Sequence, residues 1–132
     1  MTCVWDSIIQ SLTHEERNFI FENRPHNANS LAIWMKINNR PTENVLWNKA
    51  KLHENQIKEG VKWIDEINPN NVGNGYDCSV CDPLLLLLAE LLKIKIEHVY
   101  MGNVMFYEHK TCIRRTVTYT NDRGHFSYTG TK

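Results

Sequence analysis

The chain has 132 residues, of which 42% are hydrophobic and 23% are charged, the composition of one ordinary globular domain. Its 15 basic residues equal its 15 acidic residues, so the basic excess of nucleic-acid-binding proteins and of polybasic membrane anchors is missing. We therefore predict a single domain over residues 1–132 that has neither a nucleic-acid partner nor a membrane partner.

The longest apolar segment and the first residues of the chain argue against a membrane span and against secretion. The longest apolar run, Leu84 to Ala89, is far shorter than the ~20 residues that span a bilayer. Residues 1–6 carry no basic flank and no continuous apolar stretch, so we expect no secretory signal and a cytoplasmic location. In that reducing compartment the four cysteines are expected to be thiols or ligands rather than disulfides; they are Cys3, Cys78, Cys81 and Cys112.

The first half of the chain is predicted to be helical. Apolar residues between Val4 and Leu12 follow helical spacing. Thr13 and Glu16 form a capping-box pattern that begins a second helix. A third helix, capped by Asn29 or Ser30, is predicted to run to residue 37, and a fourth covers residues 52–67.

The second half begins with a predicted loop over residues 68–75, which are rich in Asn and Gly. Asp82 and Pro83 then open a helix that is apolar on nearly every face and should be buried. Afterwards the hydrophobic period becomes 2, which predicts strands over residues 94–99, 104–107, 111–120 and 125–129. We therefore predict an α+β fold, with an N-terminal helical half packed on a small, mostly antiparallel sheet.

Cys3 and His125 are the best candidates for catalysis. Cys3 lies at the start of the first helix, where unpaired N–H groups and the helix dipole stabilise a thiolate and an oxyanion. His125 begins the last strand, from which it could act as a base and then as an acid. Gly124 would let a substrate backbone approach closely, while Phe126 and Trp5 would line the substrate site.

Three segments make the chain resemble an ovarian-tumour (OTU) type papain-like cysteine protease. They are the cysteine at the head of the first helix, in Cys3-Val4-Trp5-Asp6-Ser7-Ile8, the Leu-rich helix from Asp82 to Leu92 that leads into a strand, and the final Gly124-His125-Phe126. The resemblance implies a papain-like fold and a thiol protease, a hydrolase of the deubiquitinase type. Cys3 would then be the nucleophile and His125 the general base.

The same resemblance implies a substrate class and leaves the third catalytic member open. OTU proteases cleave ubiquitin or ubiquitin-like conjugates or, in viruses, a polyprotein, and they need no cofactor. The family often carries an acidic residue two positions after the histidine, where this chain has Ser127. Asp122 is the acidic residue nearest to His125 in sequence, and it is therefore our candidate for the third member.

Two alternatives come from other classes. Cys78, Cys81, His109 and Cys112 form two pairs with the spacing of a structural zinc site. A non-catalytic interaction module, such as a viral protein that blocks a host factor, would use neither thiol chemistry nor the Cys3–His125 pair. The high content of Asn, Ile and Lys is compatible with an AT-rich genome such as that of a virus, in which case the cytoplasm would be that of the host.

Overall fold

A computed structural model describes residues 3–72, 82–122 and 125–131, and the side chains of Cys3, Asp122 and His125 lie outside the described part. This part of the chain forms five helices and six strands. In chain order they are α1 (Cys3–Ser11), α2 (His14–Phe21), α3 (Ala28–Ile37), β1 (Val45–Trp47), β2 (Ala50–Lys51), α4 (Glu54–Asp65), α5 (Asp82–Leu92), β3 (Lys95–Tyr100), β4 (Asn103–His109), β5 (Thr116–Asp122) and β6 (His125–Thr131).

The starts of α2 and α3 show how local sequence sets the helix boundaries. The capping box predicted for α2 is confirmed, because Glu16 N–H donates to Thr13 Oγ1 and Thr13 N–H donates to Glu16 Oε1. For α3 the predicted N-cap, Asn29 or Ser30, was wrong by two or three residues. Its N-cap is Asn27, whose side-chain oxygen accepts the Ser30 N–H at 3.0 Å, so the helix begins earlier than the apolar pattern indicated.

All six strands belong to one mixed sheet with the order β2-β1-β4-β3-β5-β6. β3 and β5 pair in parallel, and the other neighbouring strands described pair antiparallel. The predicted α+β architecture is thus confirmed, and so is the hairpin at residues 101–103. Met101 and Gly102 form its turn with φ angles of 50° and 87°, the conformation that suits a two-residue hairpin.

One face of the sheet forms the floor of the hydrophobic core. Ile96, His98, Tyr107, Tyr119 and Phe126 are all buried on this face. α1 reaches it through a hydrogen bond of 2.6 Å between the hydroxyls of its last residue, Ser11, and Tyr119, and the first residue of α5, Asp82, accepts the Tyr107 hydroxyl. The helical half and the strands therefore share one core rather than forming separate ones.

α5 is the central helix, as its sequence predicts. Nearly every residue from Leu84 to Leu92 is buried, and α5 packs against α4 and against β1, β3 and β4. Among the residues that the structure describes, no helix combines the length and the apolarity needed to cross a membrane.

Gly60 in the middle of α4 is a site where stability can be raised. A Cβ atom added there would meet only Pro83 Cβ at 4.0 Å, an ordinary van der Waals distance. Since Gly costs about 0.8–1.0 kcal/mol relative to Ala inside a helix, Gly60→Ala should raise the free energy of unfolding by about 0.5–1 kcal/mol, measured by urea denaturation. A loss of stability would mean that α4 is not helical at this position.

Candidate functional site

The start of α1 and the start of β6 lie at one corner of the molecule. Ser7 Oγ donates a buried hydrogen bond of 3.0 Å to the carbonyl oxygen of Phe126, across 119 positions of sequence. Ser7 is four residues after Cys3, about one helical turn or 5.4 Å along the axis. Phe126 directly follows His125. The backbones of Cys3 and His125, predicted as a pair, are therefore brought to the same corner.

A second hydrogen bond fixes the direction of α1. One turn beyond Ser7, Ser11 Oγ lies 2.6 Å from the Tyr119 hydroxyl. Complete burial raises the pKa of Tyr119 far above its usual value, so the phenol stays protonated over the physiological range. With Ser7 held by β6 and Ser11 held by β5, α1 cannot slide or rotate without breaking a buried bond. Its first turn is thereby positioned relative to the last strand.

The hairpin of β5 and β6 determines what surrounds His125. In the antiparallel register Asp122 is opposite His125, so the backbone of the predicted third member is adjacent to the histidine; the side chains of both lie outside the described residues. The position that is acidic in many OTU proteases is Ser127, and its Oγ donates to the Thr120 carbonyl at 3.4 Å. Ser127 is thus engaged within the sheet.

Two of the residues predicted to contact substrate are buried in the core. Trp5 is 3% exposed and Phe126 is 2% exposed, and both belong to the hydrophobic core. Both side chains thus cover the sheet, and their contact with a substrate stays a prediction. Gly124 lies outside the described residues.

Two buried polar residues near this corner were not predicted as site residues. His98 is 2% exposed with its ring centroid 5.3 Å from that of Phe126, and neither ring nitrogen has a hydrogen-bond partner within the described structure. Burial lowers the pKa of His98, although the charge of Asp82 acts in the opposite direction, so the imidazole is neutral at pH 7. Asn121, on the neighbouring strand β5, has a buried side-chain oxygen that also finds no partner among the described residues.

The sequence did carry a signal for His98. It continues the alternation of Ile94 and Ile96 on β3, which places it on the buried face of the strand. The burial of Asn121 was not predicted, because the predicted strand ended at residue 120, whereas β5 continues through Asn121 to Asp122.

A cavity of about 350 Å³ lies beside the first half of α1. Its described lining comes from α1, the start of α3 and the segment after α4: Asp6, Asn27, Ala28, Asn29, Pro69, Asn70 and Val72. Asn29 Nδ2 donates to the Pro69 carbonyl at 2.7 Å and so ties two walls of the cavity together. Since Asp6 is three residues after Cys3, this cavity lies next to the head of α1.

His109, from the second pair of predicted zinc ligands, holds a turn of the backbone. His109 Nδ1 accepts the backbone N–H groups of Thr111 and Cys112 at 3.3 and 3.2 Å, and His109 Nε2 faces the buried Glu90 carboxylate at 3.9 Å. A turn therefore replaces the predicted strand over residues 111–115. Cys112 is an exposed thiol.

Metal binding stays a prediction. Cys78 and Cys81 lie outside the described residues, and within the described ranges no group of three or more His, Cys, Asp and Glu side chains is arranged to hold a metal ion. A zinc ion on Nδ1 of His109 would have to displace the two N–H groups from which this nitrogen accepts.

Comparisons with known proteins leave the chain without an assigned relative. No protein-family model, no curated protein and no solved structure matches it.

Proposed function

We propose that this protein is a cysteine-type peptidase of the OTU-like, papain-like class, with Cys3 as nucleophile and His125 as general base. The single observation that carries the proposal is the Ser7–Phe126 hydrogen bond, which joins the helix turn after Cys3 to the residue after His125. A thiol at a helix start beside a strand-borne histidine is the arrangement that thiol acyl transfer needs.

The chemistry follows from the positions of these groups. His125 takes the thiol proton, and the Cys3 thiolate, favoured by the N-terminal end of the α1 dipole, attacks the carbonyl carbon of a peptide or isopeptide bond. Backbone N–H groups in the first turn of α1 stabilise the tetrahedral oxyanion. The intermediate collapses with proton transfer from His125 to the leaving amine. Water, deprotonated by His125, then hydrolyses the Cys3 thioester and frees the carboxylate.

The substrate class is part of the proposal. By the resemblance in its sequence, the enzyme would act on ubiquitin or ubiquitin-like conjugates or on a polyprotein, each of which presents an extended tail. The cavity beside Asp6 could receive part of that tail, because it lies next to the helix that carries the nucleophile.

Labelling by an electrophilic ubiquitin-vinyl-type probe tests the proposal. We expect the wild-type protein to form a covalent adduct, Cys3→Ala to form none, and His125→Ala to react more slowly by a factor of about 10² or more, because the thiol loses its base. The adduct is detected as a mass shift of the intact protein.

Cys112 provides the matched control for this experiment, because it is a thiol known to be exposed. Cys112→Ala should retain full labelling by the probe. Labelling that persists in Cys3→Ala and disappears in Cys112→Ala would show reaction of a surface thiol and refute the proposed nucleophile. Failure of the folded wild-type protein to react with either the ubiquitin probe or a general peptide aldehyde would refute the peptidase assignment.

A further inference from the structure

A second cavity, of about 290 Å³, opens between α4, α5 and β1, away from the corner of α1 and β6. Two tryptophans form its aromatic walls, Trp47 from β1 and Trp63 from α4, and an apolar base is provided by α5. The described lining is Trp47, Gln56, Glu59, Gly60, Trp63, Asp82, Pro83 and Leu86. Both tryptophans pack against the core and are only partly buried, as is usual for so large a side chain, and both line the cavity.

The charged side chains in the described lining of the cavity are both acidic. Glu59 and Asp82 are acidic residues, and the described lining contains no lysine or arginine. Gln56 adds a further carbonyl oxygen. A cavity that combines indole faces with carboxylates attracts an organic cation in two ways, by cation–π attraction and by direct ion pairing.

The walls of the cavity are rigid. Trp47 stacks on Tyr107 with an interplanar angle of 16° and a centroid distance of 6.5 Å, and Tyr107 is fully buried. The Tyr107 hydroxyl in turn donates to Asp82 Oδ1, so one aromatic wall and one carboxylate are linked through a single core residue. A preformed site of this kind needs little ordering when it binds.

We propose that this cavity binds an arginine side chain of a polypeptide partner. The planar guanidinium stacks on the indole faces of Trp47 and Trp63 and pairs with Glu59 and Asp82. Arginine is favoured over lysine because its guanidinium stacks on aromatic rings as well as pairing with carboxylates. This site is independent of Cys3 and His125, so it would serve a peptidase or a non-catalytic module equally.

Titration of the ¹⁵N-labelled protein with N-acetyl-arginine amide tests the proposal, with N-acetyl-citrulline amide as the neutral ligand of nearly the same shape. The four tryptophans give separate indole N–H signals in an NMR spectrum. We expect arginine amide to shift the signals of Trp47 and Trp63 and to leave that of Trp34 unchanged, because Trp34 packs against Phe19 outside the cavity. The citrulline derivative should bind about tenfold more weakly.

Variants on α4 separate the cavity from general surface charge. Glu59→Gln should weaken arginine-amide binding about threefold to fivefold, whereas Glu66→Gln, an exposed acid just beyond the same helix, should leave it unchanged. Equal binding of the arginine and citrulline derivatives, equal losses in the two variants, or shifts that spare Trp47 and Trp63 would each overturn the proposal.

Discussion

Replacing Glu16 by Gln is expected to lower the free energy of unfolding by about 3 kcal/mol, because it leaves Arg115, whose side chain is only 10% exposed, without its counter-charge. Glu16 is 1% exposed. Its carboxylate accepts hydrogen bonds from Arg115, from Arg114 at 2.7 Å and from the Thr13 backbone N–H at 2.9 Å. Gln can keep the bond from Thr13 but cannot neutralise Arg115. Chemical denaturation of the two proteins at pH 7 measures the difference.

The same carboxylate predicts an acid-dependent loss of stability. Burial by itself would raise the pKa of Glu16, but the hydrogen bonds from Arg115, Thr13 and Arg114 outweigh it and hold the pKa below the ordinary value. A pKa that is lower in the folded state stabilises the fold above the unfolded value near 4.5 and ceases to do so as the pH falls through the folded value. Glu16→Gln should remove this part of the pH dependence.

Glu15 is the control for Glu16, since it lies in the first turn of the same helix and is exposed. Glu15→Gln should change the free energy of unfolding by less than about 0.5 kcal/mol. Equal effects of the two substitutions would show that the charge on the first turn of α2, rather than the ion pairs of Glu16 with Arg114 and Arg115, sets the stability.

Replacing His98 by Leu should raise the free energy of unfolding at pH 7 by about 1–3 kcal/mol. Both ring nitrogens of His98 are buried without partners in the described structure, and burying an unsatisfied polar group costs about this amount. Leu is apolar and similar in volume, so it keeps the packing against Tyr107 and Phe126. Thermal or urea denaturation of both proteins is the measurement.

The pH profile gives this prediction a second measurement. Because burial lowers the pKa of His98 below 6.5, the unfolded chain binds a proton in a range where the folded protein does not. The stability of the wild-type protein should therefore fall as the pH drops below about 6.5, and His98→Leu should be flat in that window. His14→Gln, which changes an exposed histidine at the start of α2, should keep the wild-type slope. A destabilised His98→Leu protein would mean that the imidazole has a polar partner in solution.

Several helix starts and turns that are set by residues close in sequence were predicted correctly. The capping box at Thr13 and Glu16, the Asp82-Pro83 start of α5 and the turn at Met101 and Gly102 each involve residues close in sequence, and each is observed. β1 and β2 were missed because they have three and two residues, too few for an alternating pattern to emerge. The turn before β5 depends on the His109 ring, a side chain that no propensity describes.

Contacts between segments distant in sequence could not be predicted from the sequence. Nothing in the residues of β3 and β5 indicates that they are parallel neighbours, or that β1 joins the sheet beside β4. The pairing of Cys3 with His125 was predicted from the chemistry of each residue, and the Ser7–Phe126 bond is compatible with it. The two-tryptophan cavity was not predicted, because Trp47 and Trp63 come together only through packing of β1 and α4 on α5.

The bond between Ser7 and Phe126 has a consequence for the order of events during synthesis. A ribosome makes the helix that begins at Cys3 early, but that helix must wait for the strand beginning at His125 before its buried serine finds an acceptor. Contacts between such distant segments form late because loop closure must come first. Under the proposed function, a nascent chain that contains Cys3 but lacks β6 would therefore have no assembled catalytic pair and no peptidase activity.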